Sequence, residues 1–207
     1  MFNFNFARQA MLALALALTS AAALAGPTYL VTIHTEGVDA EAGLIDFNFY
    51  TTDDTSGSSA TLSHFSGAFG DVFERAGSAA GTVADSVSFS PSNVANFLTY
   101  NVLFGGDFSF QVSFSGDFLT VPGPNSSALV VSLHDSLLSL EYGVAVVFDL
   151  IPAFNADPAG VFITVGDPGL ASVTELVAAD VPEPSQLLLM LSALALAGVA
   201  LRRRTTR

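Results

Sequence analysis

From Phe108 to Ser115 every second side chain is apolar: Phe108, Phe110, Val112 and Phe114 alternate with Ser109, Gln111, Ser113 and Ser115. A period of two places successive side chains on opposite faces of an extended strand, one face dry and the other wet. The pattern recurs. Tyr29, Val31 and Ile33 alternate with Leu30, Thr32 and His34, and Ile45, Phe47 and Phe49 with Asp46, Asn48 and Tyr50. Leu129, Val131 and Leu133 form another apolar row, as do Val144, Val146, Phe148 and Leu150. Turn formers separate the runs, at Asp53–Gly57, Gly105–Asp107, Ser115–Asp117 and Pro122–Asn125. Half-buried strands with regular punctuation predict an all-β, antiparallel sandwich or jelly-roll-like domain.

The domain has to hold itself together without disulfides, because the chain contains no cysteine. Its phenylalanines are the natural material for a core, each stabilising by roughly 2 kcal/mol when fully buried. Residues 26–170 are assigned to the sandwich and 171–181 to a linker, with room for one terminal strand at Ala171–Val177. No substantial helix is expected between residues 28 and 170, and Ser92–Leu98 is read as a short turn. Two Gly-Asp-Phe units, at Gly106–Phe108 and Gly116–Phe118, read as strand edges, with Asp in a turn and Phe returning to the core.

The two ends have a different composition. Arg8 precedes the apolar run Met11–Leu18, and Ala23-Leu24-Ala25 supplies small residues for signal peptidase. This is a signal-peptide pattern over residues 1–25, with its helix too short to span a bilayer and Gly26 as the new N-terminus. Between residues 26 and 181 stand eighteen acids against one base, Arg75, a net charge of −17. Such a surface repels nucleic acid and anionic membranes. The other end is apolar from Leu187 to Leu201 and closes with Arg202, Arg203, Arg204 and Arg207. Arginines there hold the C-terminus in the cytoplasm, so a transmembrane helix leaves the acidic domain on the far side. Pro182 and Pro184 resist helix continuation and keep Glu183 in an extended elbow just before that helix.

Pro182-Glu183-Pro184, the apolar helix and Arg202-Arg203-Arg204 together resemble the PEP-CTERM sorting signal of Gram-negative bacteria, over residues 182–207. The resemblance implies recognition by exosortase, a membrane protease or transpeptidase, which cuts near the P-E-P. It implies export across the inner membrane, transient anchoring there, and release to the cell surface or the extracellular space. It also implies association with exopolysaccharide and biofilm. The mature N-terminal part resembles a family of PEP-CTERM proteins of unknown function. The matching residues are Tyr29-Leu30-Val31-Thr32-Ile33, the loop Gly37–Gly43 and Asp46-Phe47-Asn48-Phe49.

Catalytic motifs are absent from the sequence. No G-x-S-x-G elbow or H-E-x-x-H pair occurs, and His34, His64 and His134 lie in three separate segments. His34 and His134 fall on the polar phase of their strands and read as structural. A glycosidase needs two carboxylates flanking a bond, roughly 5–10 Å apart. Most acids here stand in turns, and the chain has no Trp and only four Tyr to offer sugars. No cofactor is assigned; calcium is the one ion with candidate loops, at Asp53-Asp54 and at Asn155 and Asp157. Neither loop has EF-hand spacing, and both read first as solvated turns. The leading functional reading is a non-enzymatic structural or adhesive protein sorted by exosortase. The alternatives are a secreted polysaccharide-binding module, calcium-assisted, and then a glycoside hydrolase.

Overall fold

The computed structural model describes residues 26–52, 57–90, 95–155 and 157–176. The signal-peptide residues Ala23 and Ala25, the loop acids Asp53 and Asp54, the P-E-P elbow and the arginine cluster Arg202–Arg204 lie outside these residues. Among the described residues no helix is long and apolar enough to cross a membrane.

The described residues form twelve strands. They are β1 (Thr28–His34), β2 (Ala42–Thr51), β3 (Ser58–Ser66), β4 (Phe69–Ala76), β5 (Ala80–Gly81) and β6 (Ser86–Phe89). Then come β7 (Ala95–Leu103), β8 (Asp107–Gly116), β9 (Ser127–His134), β10 (Glu141–Ile151), β11 (Gly160–Val165) and β12 (Ala171–Leu176). They form two six-stranded antiparallel sheets, in the orders β12-β1-β8-β3-β6-β5 and β11-β10-β9-β2-β7-β4. The chain passes from sheet to sheet at eight of the eleven connections between these strands, the jelly-roll-like winding expected of such a pattern.

The alternation in the sequence explains the layering. Val31, Ile33, Phe47, Phe49, Phe110, Phe114, Leu129, Val131, Phe148 and Leu150 all point into one continuous core between the sheets. Rings from opposite sheets meet directly. Phe47 on β2 stands edge-on to Phe110 on β8 at 5.3 Å, and Phe114 on β8 lies 5.3 Å from Phe148 on β10. Phe69 on β4 packs edge-on to Phe108 on β8 at 5.2 Å. Edge-to-face rings add stabilisation beyond their buried area.

Both Gly-Asp-Phe units mark strand ends and return their Phe to the core, although Asp107 already belongs to β8, paired with His34. Phe108 and Phe118 are buried at the two ends of β8, the second on a single 3-10 turn at Asp117–Leu119. Gly116 has φ of 118°, and a Cβ there would fall 1.7 Å from the carbonyl oxygen of Gly57, so only glycine fits.

Three expectations shift. Residues Ala95–Leu98, read as part of a turn, open β7, because Leu98 faces the core between two paired neighbours, β2 and β4. The terminal strand allowed at Ala171–Val177 is present as Ala171–Leu176 in the first sheet, with Ala171 buried, so the boundary at residue 170 moves outward and the sandwich runs on to Leu176. On β10, a register shift between Val144 and Val146 turns the run so that Ala145 and Val146 are both buried. A bulge of this kind breaks strict alternation without breaking the strand.

Replacing Phe110 with alanine removes a ring wedged between Phe47 and Phe65, at 5.3 and 5.8 Å. We expect a loss of about 3–5 kcal/mol in urea unfolding. Phe154→Ala, at a half-exposed ring, is expected to cost less than about 1 kcal/mol. Equal losses would mean that the aromatic contacts between the sheets do not carry the fold.

Candidate functional site

The outer face of the second sheet concentrates the polar chemistry of the domain. Asp46 points outward from the middle of β2, the strand between β9 and β7. Its direct neighbours across the sheet are Thr99 on β7 and Ser132 on β9, both buried. Thr99 Oγ1 donates to Asp46 Oδ1 at 2.7 Å, and Asn48 Nδ2 donates to Asp46 Oδ2. Glu74 on β4 continues the row beyond Thr99. Burial pushes the Asp46 carboxyl above the usual range, and Glu74 adds to the rise. The bonds from Thr99 and Asn48 and the nearby His134 oppose it.

His134 Nε2 lies 3.0 Å from Ser132 Oγ, two residues back on the same strand face. A serine, a histidine and an aspartate therefore share one patch. They do not make a nucleophile triad, which needs the acid on the second imidazole nitrogen. Both Asp46 oxygens are instead engaged by Thr99 and Asn48. His34 Nδ1 contacts Asp107 Oδ1 at 2.8 Å on the first sheet, and His64 contacts Ser63 at 3.0 Å beside a bulge in β3. An exposed pair such as His34–Asp107 contributes about 0–1 kcal/mol.

Four residues further along β2 on the same face, another row reads Tyr50 (β2), Ala128 (β9), Asp149 (β10), Phe162 (β11). Tyr50 is 45% and Phe162 53% exposed. Three strand spacings separate them, about 14 Å, with the small Ala128 and the carboxylate Asp149 between. Of the four tyrosines, Tyr29 and Tyr100 are core residues and Tyr142 packs on Phe104, which leaves Tyr50 as the exposed one. This row is invisible in the linear sequence, because it depends on β2 pairing with β9, a strand far from it in the chain.

Asn155 and Asp157 form a tight turn. Phe154 and Asp157 exchange both backbone hydrogen bonds, at 3.1 and 3.0 Å, and Asn155 takes the left-handed conformation at φ 56°. Among the described residues no three histidine or carboxylate side chains come together as a metal site. A shallow cleft of about 240 Å³ lies between the first residues of β2 and β4 and the last of β7. Its lining includes Gly43, Phe69, Asn101 and Ser136 but no titratable group.

At the end of the sandwich near that cleft, the β9–β10 loop presents Leu137, Leu138 and Leu140 to solvent, Leu137 at 79%. Asp135 holds this loop. Its Oδ1 accepts from the backbone of Ser139 and Leu140 at 2.7 and 3.1 Å, and its Oδ2 from the Ser139 hydroxyl. These bonds keep the Asp135 carboxyl below the usual range, the Ser139 hydroxyl most of all.

Residues 180–204 match the family described as the PEP-CTERM protein-sorting motif. The chain carries an exosortase sorting signal. It is therefore an exported protein, anchored transiently in the membrane before exosortase processes it. No curated protein and no solved structure matches the chain.

The two perturbed carboxylates titrate in opposite senses. Raised in the fold, Asp46 contributes stability that is full below its unfolded pKa and is lost as pH rises through the folded value. Lowered in the fold, Asp135 contributes stability that is full above its unfolded pKa and is lost as pH falls through the folded value. A carbon-detected carboxyl titration should show Asp46 protonating at clearly higher pH than Asp135. Coincident midpoints would contradict the burial of Asp46 and the hydrogen bonds at Asp135.

Proposed function

We propose that this is a non-enzymatic surface or matrix protein, released by exosortase, with a structural or adhesive role among exopolysaccharide. The sorting motif over residues 180–204 carries the reading. The chemistry of the sandwich supports it. The polar groups that cluster on the second sheet are bonded to each other, and the cleft beside them has no acid or base. Intact-mass spectrometry of protein recovered from the medium and cell surface, with and without exosortase, tests it. The expected species runs from Gly26 to near Pro182 only when the enzyme is present. A tail retained in both strains would sink the reading, and with it the link to biofilm.

A second reading is a polysaccharide-binding module, favoured by the row Tyr50–Ala128–Asp149–Phe162. Aromatic faces stack on the apolar faces of sugar rings, and a carboxylate between them accepts hydrogen bonds from hydroxyls. The −17 charge favours a neutral or amino-sugar polymer over an acidic one. Affinity electrophoresis in gels containing the host exopolysaccharide checks it. Tyr50→Ala is expected to weaken retardation by about tenfold, roughly the loss of one stacking contact. Chelation with EDTA in the same gel reads the calcium requirement. Unretarded wild-type protein would remove this reading and leave the first one standing.

A further inference from the structure

Each sheet of a sandwich ends in two edges, and an edge strand offers unpaired N–H and C=O groups to any neighbouring strand. Three of the four edges here are guarded. On β4 stand Asp71, Glu74 and Arg75, and two register shifts break its pairing with β7. The edge strand β5 has two residues. On β12 stands Glu175. The fourth edge, β11, reads Gly-Val-Phe-Ile-Thr-Val. It has no charge and no proline, and it pairs with β10 without a register shift from Gly160 to Val165. Phe162 and Ile163, on opposite faces of the strand, are 53% and 38% exposed. Among the described residues nothing lies beyond it in the sheet.

We propose that β11 is a homodimerisation edge, pairing antiparallel with β11 of a second copy of this chain across a two-fold axis at Ile163. The backbone sets the register. Gly166 N–H donates to Ala145 O on β10, so in an alternating strand Val161, Ile163 and Val165 turn their N–H and C=O groups to the free edge. A two-fold at Ile163 then sets Ile163 against its own copy and Val161 against Val165 of the partner subunit, all in hydrogen-bonding phase. On the outer face Phe162 falls beside Thr164 of the partner subunit. The patch is thus self-complementary, as a two-fold interface must be.

Charge selects the same edge. A domain of net charge −17 repels its copy, and the repulsion is least where the contacting strand carries no acid. The acids around β11 stand back from it. Asp149 is one strand away on β10, and Asp157 and Asp167 lie beyond the two ends of the strand. The remaining repulsion is screened by salt. The dimer therefore tightens as salt rises, opposite to an interface built on ion pairs. It needs neither exosortase nor a glycan, so its failure would leave the proposed function untouched.

The absence of cysteine makes the test direct. A hydrogen-bonded antiparallel pair has Cα atoms about 5.5 Å apart, within disulfide range. In the full chain, purified in detergent and oxidised with copper-phenanthroline, Ile163→Cys is expected to yield a disulfide-linked dimer. Thr164→Cys, which the register sets against Phe162 of the partner subunit, should give about tenfold less. Sedimentation velocity of the unmodified chain in density-matched detergent needs no variant. It should show a dimer that strengthens with salt and is lost in Ile163→Lys but not in Val72→Lys, on the guarded edge. The proposal is overturned by equal cross-linking at residues 163 and 164. It is equally overturned by an unmodified chain that stays monomeric at high micromolar concentration in raised salt.

Discussion

Everything in this domain hangs on phenylalanine rings meeting between two sheets. Phe47 touches Phe110, Phe114 touches Phe148, and Phe69 touches Phe108, each pair joining strands of opposite sheets. No disulfide is available to share the task. A ring core has a consequence for sequence: the inward phase of each strand is committed, so one residue of slip would expose a whole row. The register is pinned where the rings lock. The outward phase is then free to vary, and it carries the acids, serines and threonines that keep an exported domain soluble.

That division explains where function can reside. The core between the sheets is filled by packed aromatic and aliphatic side chains, which leaves chemistry to faces, edges and loop ends. The outer face of the second sheet holds Asp46 with its donors and, further along, the exposed rings of Tyr50 and Phe162. The loop ends hold Leu137 on a frame built by one carboxylate, Asp135. Packing alone asks for none of these, whereas the buried phenylalanines are fully accounted for by the core.

β1 and β8 are legible in the sequence because their burial is one-sided and unbroken, and β2 and β9 keep the same alternation except at Leu44 and Ser132, outward-phase residues that are also buried. The others are hidden by identifiable physics. β3 carries a bulge where His64 adopts φ of 54°, so its apolar phase changes midway. β4 lies on an edge and exposes both faces of its middle residues, which erases the period. β7 begins beside Pro91 and Asn93, turn formers that mask its first residues. The Asp46 cluster and the Tyr50–Phe162 row were not legible at all. Both depend on β2 lying between β9 and β7, a pairing of strands far apart in sequence. The acid-amide turn at Asn155–Asp157 was legible as a turn, and the backbone bonds between Phe154 and Asp157 close it.

The path of the first and last strands adds one step. His34 N–H, at the end of β1, donates to Leu170 O just before β12 begins, and β12 lies beside β1 in the sheet. β12 therefore runs back along β1, and Glu175 comes close enough to Tyr29 to raise its phenol pKa, second to burial itself. Entry at Thr28 and exit at Leu176 thus lie at the same end of the sandwich. The Leu137 loop lies at the other end, since His134, just before it, pairs with Leu44 near the start of β2. Cleavage beyond Leu176 leaves all twelve described strands on the released side of the cut.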